Sequence, residues 1–289
     1  MSAKLDIDWR GREIAIEYRW IDAGGMGSLD DAVNADGTLS AEDTTNTDNA
    51  NDTATEQPVM VFLHEGLGSV SLWKDFPDQL CARIGIRGLV YSRPGYGKST
   101  PRGVDEHWDP DFMHRQAYEV LPTLLTHLNV KNPWLFGHSD GASIALLYAA
   151  QFPAALRGAI VVAPHLFVED ISIQSIKLAR EAYLQHSLRE RLARHHDEVD
   201  SAFFGWNDVW LSEAFKDWNI ESVIPGIRCP LLALQGEQDE YGSLQQVMRI
   251  RELLPSAEVI TLANCGHSPH RDQAVALMAA VETFIHRQH

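Results

Sequence analysis

Cysteine is scarce in this chain: three in 289 residues, Cys81, Cys229 and Cys265. An odd, widely spaced set offers neither a disulfide framework nor a cysteine-based metal site, and it fits a reducing cytoplasm. Basic residues are also short, 24 Lys and Arg against 40 Asp and Glu, for a formal net charge of −16. That balance argues against nucleic acid or an anionic membrane as partner. No stretch approaches the roughly 20 consecutive apolar residues that span a bilayer. The opening residues, MSAKLDIDWRGR, lack the apolar segment of a secretory signal. A cytoplasmic protein acting on a small molecule is therefore expected, its oligomeric state left open.

What is present is ordinary for a folded enzyme: 45% apolar and 22% charged residues. The length suits one large core, or one core with a smaller appended domain. The acidity is unevenly placed. Residues 21–57 hold nine of the acidic residues and no Lys or Arg, among Asn, Thr, Ala and Gly. Such a segment buries too little apolar surface to offset its ordering entropy, and it reads as a disordered surface loop. Its Asp spacing matches no calcium-binding loop.

The remaining chain alternates strands and helices. Lys4 to Ile21 has a period-2 pattern broken at Arg10-Gly11, which predicts an antiparallel hairpin. Pro58–Leu63, Gly88–Tyr91, Trp134–Phe136, Gly158–Ala163, Leu231–Leu234 and Val259–Leu262 are short apolar runs typical of buried parallel strands. Helical patterns lie between them and close the chain. Between His165 and Pro225 no strand is legible, only charged helical sequence. The reading is an α/β fold: a core of residues 1–164 and 226–289, with a helical cap at 165–225 over the carboxyl ends of the strands.

The most informative segment is Gly137-His138-Ser139-Asp140-Gly141, between the apolar Trp134-Leu135-Phe136 and the helical Ala142–Ala150. A serine at a sharp strand-to-helix turn has its hydroxyl clear of the backbone, and the helix N-terminus offers N–H groups to a developing negative charge. A serine hydroxyl is a poor nucleophile without a base, and the base needs an orienting acid. Asp239, after the 231–234 strand, and His267, after the 259–262 strand, can supply both. Glu237 and Glu240 rival Asp239, and His270 rivals His267.

In the order Ser139, Asp239, His267, the chain resembles a capped α/β-hydrolase. The resemblance spans nearly the whole sequence outside 21–57. It includes His64-Glu65-Gly66-Leu67-Gly68-Ser69, similar to the family's His-Gly oxyanion turn, and Ser92-Arg93-Pro94-Gly95-Tyr96-Gly97-Lys98-Ser99, similar to its Arg-Gly-x-Gly-x-Ser segment. It implies that Ser139 attacks a carbonyl, His267 shuttles the proton and Asp239 holds the imidazole. The oxyanion would be met by the N–H of Asp140 and that of Gly66 or Leu67, and neither cofactor nor metal is implied. Where many relatives have glycine, this chain has Glu65, expected to pair with Arg93; a solvent-facing side chain is the plain alternative, and contact with a substrate amine is less favoured. Trp206 and Trp210 are candidate pocket walls or a staple between cap and core. His138 is expected beneath the turn, and His195-His196 at a solvated helix end. The implied activity is hydrolysis of a small or medium carboxylic ester. Carbon–carbon hydrolysis of the meta-cleavage type, with cap arginines (Arg180, Arg189, Arg191, Arg194) as carboxylate ligands, is the alternative, followed by perhydrolase or aminopeptidase-like chemistry. A non-enzymatic binding role is disfavoured because all the site segments are retained.

Overall fold

The computed structural model describes residues 2–23, 58–103 and 106–288. The expectation of a disordered acidic loop thus lies almost wholly outside the described residues. The chain opens with β1 (Ala3–Trp9) and β2 (Arg12–Ile21), antiparallel, with Trp9 opposite Arg12. The two residues between them, Arg10 and Gly11, have φ of 58° and 76°. Two left-handed residues make the tight turn whose twist matches that of the flanking strands.

Six parallel strands follow: β3 (Val59–Leu63), β4 (Arg87–Tyr91), β5 (Trp134–His138), β6 (Gly158–Val162), β7 (Leu231–Gly236) and β8 (Glu258–Leu262). The sheet order is β1-β2-β4-β3-β5-β6-β7-β8, with β2 antiparallel to β4. Central strands β3, β5, β6 and β7 are buried along their whole length, which is why they read as continuous apolar runs rather than as alternation.

Side chains of successive residues still go to opposite faces. Met60 and Phe62 pack with α1 (Phe76–Ile84) and the C-terminal helix, while Val61 and Leu63 pack towards the other layer. That other layer holds α2 (Phe112–Arg115), a π-helical turn at Gln116–Val120, α3 (Leu121–His127) and α4 (Asp140–Gln151). Between β6 and β7 the chain makes a helical excursion: α5 (Asp170–Gln185), α6 (Leu188–Leu192), α7 (Val199–Trp210) and two short 3₁₀ turns. A single antiparallel bridge, Phe167 to Asn219, pins its two arms together. The chain ends with α8 (Gln245–Leu253), α9 (Pro269–Asp272) and α10 (Ala274–His286). Among the described residues no helix is long and apolar enough to cross a membrane.

Candidate active site

Ser139 stands between β5 and α4 with φ 54° and ψ −120°, a strained conformation for a residue with a side chain. Such strain costs on the order of 1–3 kcal/mol and persists only where surroundings over-determine it. Here the Ser139 N–H donates to Val162 O at 2.9 Å, locking the turn to β6. Gly141 passes so close to β3 that a Cβ on it would lie 2.1 Å from Leu63 O. The second glycine of the pentapeptide is thus a requirement of backbone approach.

Three loops after parallel strands converge on this serine. Ser139 Oγ donates to His267 Nε2 at 2.9 Å, and His267 Nδ1 donates to Asp239 Oδ1 at 2.8 Å. The same Asp239 oxygen accepts the N–H groups of Tyr241 (2.8 Å) and Gly242 (3.2 Å), while Oδ2 accepts Gln235 Nε2 at 3.2 Å. Burial pushes the Asp239 pKa up, but the hydrogen bond and charge of His267, with the Tyr241 N–H and His165, outweigh it and the carboxyl lies below its ordinary value. Burial also disfavours the charged His267 ring, yet the Asp239 hydrogen bond and charge prevail, with help from Glu240 and Glu65. Its pKa is raised above 6.5.

The rival residues have other partners. Glu240 Oε2 accepts the backbone N–H of His267 at 3.1 Å, so it holds the loop and leaves the ring to Asp239. Glu237 reaches only Thr261 Oγ1, at 3.5 Å on the surface. His270 is buried against His138 and Trp73, and burial depresses its pKa to about 2. His138 lies buried beneath the turn and donates from Nε2 to His267 O at 2.7 Å.

Residues 65–68 form a turn closed by Gly68 N–H to Glu65 O at 3.1 Å. Arg93, fully buried, spans beneath it and donates to His64 O at 2.9 Å and Glu65 O at 3.0 Å. The expected Glu65–Arg93 carboxylate pair is therefore corrected: Arg93 takes the main-chain carbonyl of Glu65. The Glu65 carboxylate instead lies 3.7 Å from His138 Nδ1 and 3.8 Å from Arg271. The physical reason is position, since Arg93 lies under the turn and the Glu65 side chain extends towards the His267 loop. The acidic neighbour of Arg93 is Asp140, at 3.9 Å and likewise buried. Burial raises the Asp140 pKa to about 6, against the lowering effect of Arg93.

A cavity of about 210 Å³ adjoins Ser139 and His267. Its walls include Glu65, Gly66, Leu67, Asp140, Trp206 and Trp210, together with Ile176 and Leu192 of the helical excursion. Trp206 presses on Gly66, where a Cβ would lie 2.1 Å from its indole nitrogen. Trp210 also packs on Phe215 and His165, so it joins wall and staple in one residue. The four candidate arginines do not line the cavity; Arg180 and Arg189 pair with Asp208 and Asp200.

Wall residues that escaped the sequence reading include His165, Tyr241 and Arg271. His165 carried a usable signal, since it follows β6 at the strand end where ligands collect. Burial lowers its pKa to about 3. A second correction concerns His196, expected at a solvated helix end. It is only 5% exposed and uses both ring nitrogens on the core, because the short helix α6 ends against the 92–99 loop. Among the described residues no cluster of His, Cys, Asp and Glu could hold a metal ion. Burial pushes the Cys265 thiol, two residues before His267, up to about 11, which leaves it protonated and in a packing role.

A strained serine hydrogen-bonded to a carboxylate-held histidine, at the carboxyl ends of a mostly parallel sheet, defines the class of α/β-fold hydrolases. Residues 60–281 match the model of the alpha/beta hydrolase family, and the chain belongs to that family as a hydrolase enzyme. It is 32% identical over 240 residues to 2-succinyl-6-hydroxy-2,4-cyclohexadiene-1-carboxylate synthase of Escherichia coli O1:K1 / APEC, covering 79% of this chain and 84% of that protein. It is 24% identical over 258 residues to the mouse sn-1-specific diacylglycerol lipase ABHD11, covering 79% and 81%. Among solved structures, a carboxylesterase of the thaumarchaeon Nitrososphaera gargenis superposes with a TM-score of 0.71 at 17% identity, over 98% of both chains.

Proposed function

We propose that the protein is a carboxylic ester hydrolase working through an acyl-enzyme on Ser139. The observation that carries the reading is the continuous hydrogen-bonded line from Ser139 Oγ through His267 to Asp239, opening on a walled cavity. Ser139 Oγ attacks the ester carbonyl while its proton passes to His267 Nε2. Asp239 holds the tautomer and stabilises the imidazolium without taking the proton. The tetrahedral oxyanion is met by the N–H of Asp140 and by Gly66 or Leu67, the two central residues of the 65–68 turn. Collapse expels the alkoxide, which takes the proton from His267. Water then attacks the acyl-enzyme with His267 as base, releasing the acid and restoring Ser139. The helical excursion acts as a cap, with Trp206, Trp210, Ile176 and Leu192 presenting apolar surface to a small or medium acyl group.

The charge of the cavity favours neutral esters over carboxylate-bearing substrates. Glu65, Asp140 and Glu240 line it with Arg271 as the sole arginine of its wall, and the excursion's arginines lie elsewhere. A dianionic meta-cleavage product, or a substrate resembling that of the E. coli synthase, would meet more acid than base. The test is labelling with a fluorophosphonate, followed by hydrolysis of p-nitrophenyl esters of graded acyl length beside a meta-cleavage product. Ser139→Ala is expected to lose labelling and at least about 10⁴-fold in turnover. Wild-type protein that stays unlabelled while folded, or that prefers the meta-cleavage product, would overturn the proposal.

A further inference from the structure

The turn at 64–68 is gripped from two sides. From the core, Arg93 takes the carbonyls of His64 and Glu65. His64 adds its own ring, Nδ1 donating to Glu65 O at 2.7 Å while Nε2 accepts the Arg93 N–H at 3.0 Å. From the helical excursion, His196 Nε2 donates to Leu67 O at 2.9 Å, and its Nδ1 accepts the N–H of Gly97 at 2.9 Å. The next residue repeats the attachment, Asp197 N–H donating to Gly97 O at 2.9 Å. On the preceding side, His195 Nδ1 meets Ser71 Oγ at 2.9 Å. A buried ring with both nitrogens used is fixed in one tautomer and one orientation.

We infer that His196 is a positioning residue for the oxyanion turn: it ties the Leu67 carbonyl to the 92–99 loop, so that the excursion supplies part of the scaffold on which transition-state charge is met. The inference rests on the serine-hydrolase reading above. Its physical basis is that oxyanion donors act through preorganisation, and a small misplacement forfeits most of their effect. The N–H groups of Gly66 and Leu67 belong to the turn whose far carbonyl His196 holds. With that carbonyl released, the turn keeps its Arg93 anchor but loses its constraint at Leu67. A group that merely stapled cap to core would affect melting temperature and substrate entry. A positioning group affects the transition state more than the ground state.

Asn and Gln separate the two hydrogen bonds, because the Asn side-chain oxygen falls near the His Nδ1 position and the Gln nitrogen near Nε2. His196→Asn keeps the Gly97 contact and drops Leu67; His196→Gln does the reverse. The measurements are kcat and KM on a p-nitrophenyl ester, the Ki of a trifluoromethyl ketone that mimics the tetrahedral intermediate, and the melting temperature. His196→Asn is expected to lose about tenfold to a hundredfold in kcat, with the ketone weakened by the same factor and KM within about twofold. His196→Gln is expected to recover most of that loss. Equal kcat and Ki in wild type and His196→Asn, or a loss confined to KM, would overturn the inference. So would His196→Gln behaving no better than Asn. Fluorophosphonate labelling of the wild type distinguishes the two levels: no label at Ser139 sinks the hydrolase reading itself, whereas a labelled wild type with indifferent variants sinks only the role of His196. Should His196→Ala fail to fold, the two amide variants still decide the matter.

Discussion

The two sides of the cavity are built differently. On the strand side, Ser139, Asp239 and His267 lie just past the ends of β5, β7 and β8, where the sheet register fixes the spacing between loops. On the helical side there is no shared ladder; side chains make most of the fit, Trp206 against Gly66, His196 on Leu67, Trp210 against His165, with one main-chain bond from Asp197 to Gly97. On the proposed mechanism, the groups that move protons stand on the rigid frame. On the same proposal, the groups that shape the substrate and brace the turn come from the element joined to it mainly by side chains. Damage to the first should abolish chemistry at unchanged fold, while damage to the second should be graded and open to repair by a matching change.

The largest effect is expected from Asp239→Asn, which keeps the shape of the side chain but presents a donor to His267 Nδ1. Turnover should fall by about 10⁴-fold with the melting temperature little changed. The variant also tests the sign of the His267 shift. The proposed mechanism requires a neutral His267 as base, and its pKa is raised above 6.5, so kcat/KM is expected to fall as pH drops through that raised value. The stability contribution runs the other way. A histidine with a raised folded pKa stabilises fully below the unfolded value, and this is lost as pH rises through the folded one. Between the two values, activity therefore climbs while this contribution to stability fades. Asp239→Asn should move the acid limb of its residual activity to lower pH; an unmoved limb would mean that Asp239 does not set the His267 pKa.

Gly66→Ala tests the helical side and should cost less. The new methyl would lie 2.1 Å from the Trp206 indole nitrogen, so either the turn or the tryptophan must shift. A displaced oxyanion turn forfeits about 10²–10³ in kcat. Adding Trp206→Ala should restore part of it by making room. No restoration in the double variant would show that Gly66 is needed for the backbone alone, and the contrast between the two sides would weaken.

The same division explains what could be read from the sequence. Strand-end residues were legible because buried parallel strands are short apolar runs and each candidate follows one within a few residues. His64–Ser69 and Ser92–Ser99 were legible as turn motifs. What Arg93 touches was not, because a guanidinium satisfied by carbonyl oxygens leaves no trace in the pattern of charged residues. His196 escaped for a related reason: in a stretch as charged as Arg189–Asp197, a buried member looks like its solvated neighbours. Glu17 is a third case, a carboxylate on β2 only 3% exposed, accepting Ser92 Oγ and the Lys98 N–H. Alternation marked its strand but could not show that the 92–99 loop would close over it.

The smallest effect is expected at the excursion's arginines, half-buried Arg180 and exposed Arg189, and its smallness is informative. Arg180 sits 2.8 Å from Asp208 and over the face of Phe204, and Arg189 is 2.6 Å from Asp200. Exposed ion pairs contribute little and are screened by salt. If these residues only dress the outer face of α5 to α7, replacing either with Ala should leave kcat and KM for neutral esters within about twofold. A carboxylate-bearing ester should be no better a substrate for the wild type than for the variants. Should Arg180→Ala raise KM tenfold for the carboxylate-bearing ester alone, the excursion would have to close further than its present packing and bring that guanidinium to the cavity. The helical side would then select substrate by charge as well as by shape, and the preference for neutral esters would fall.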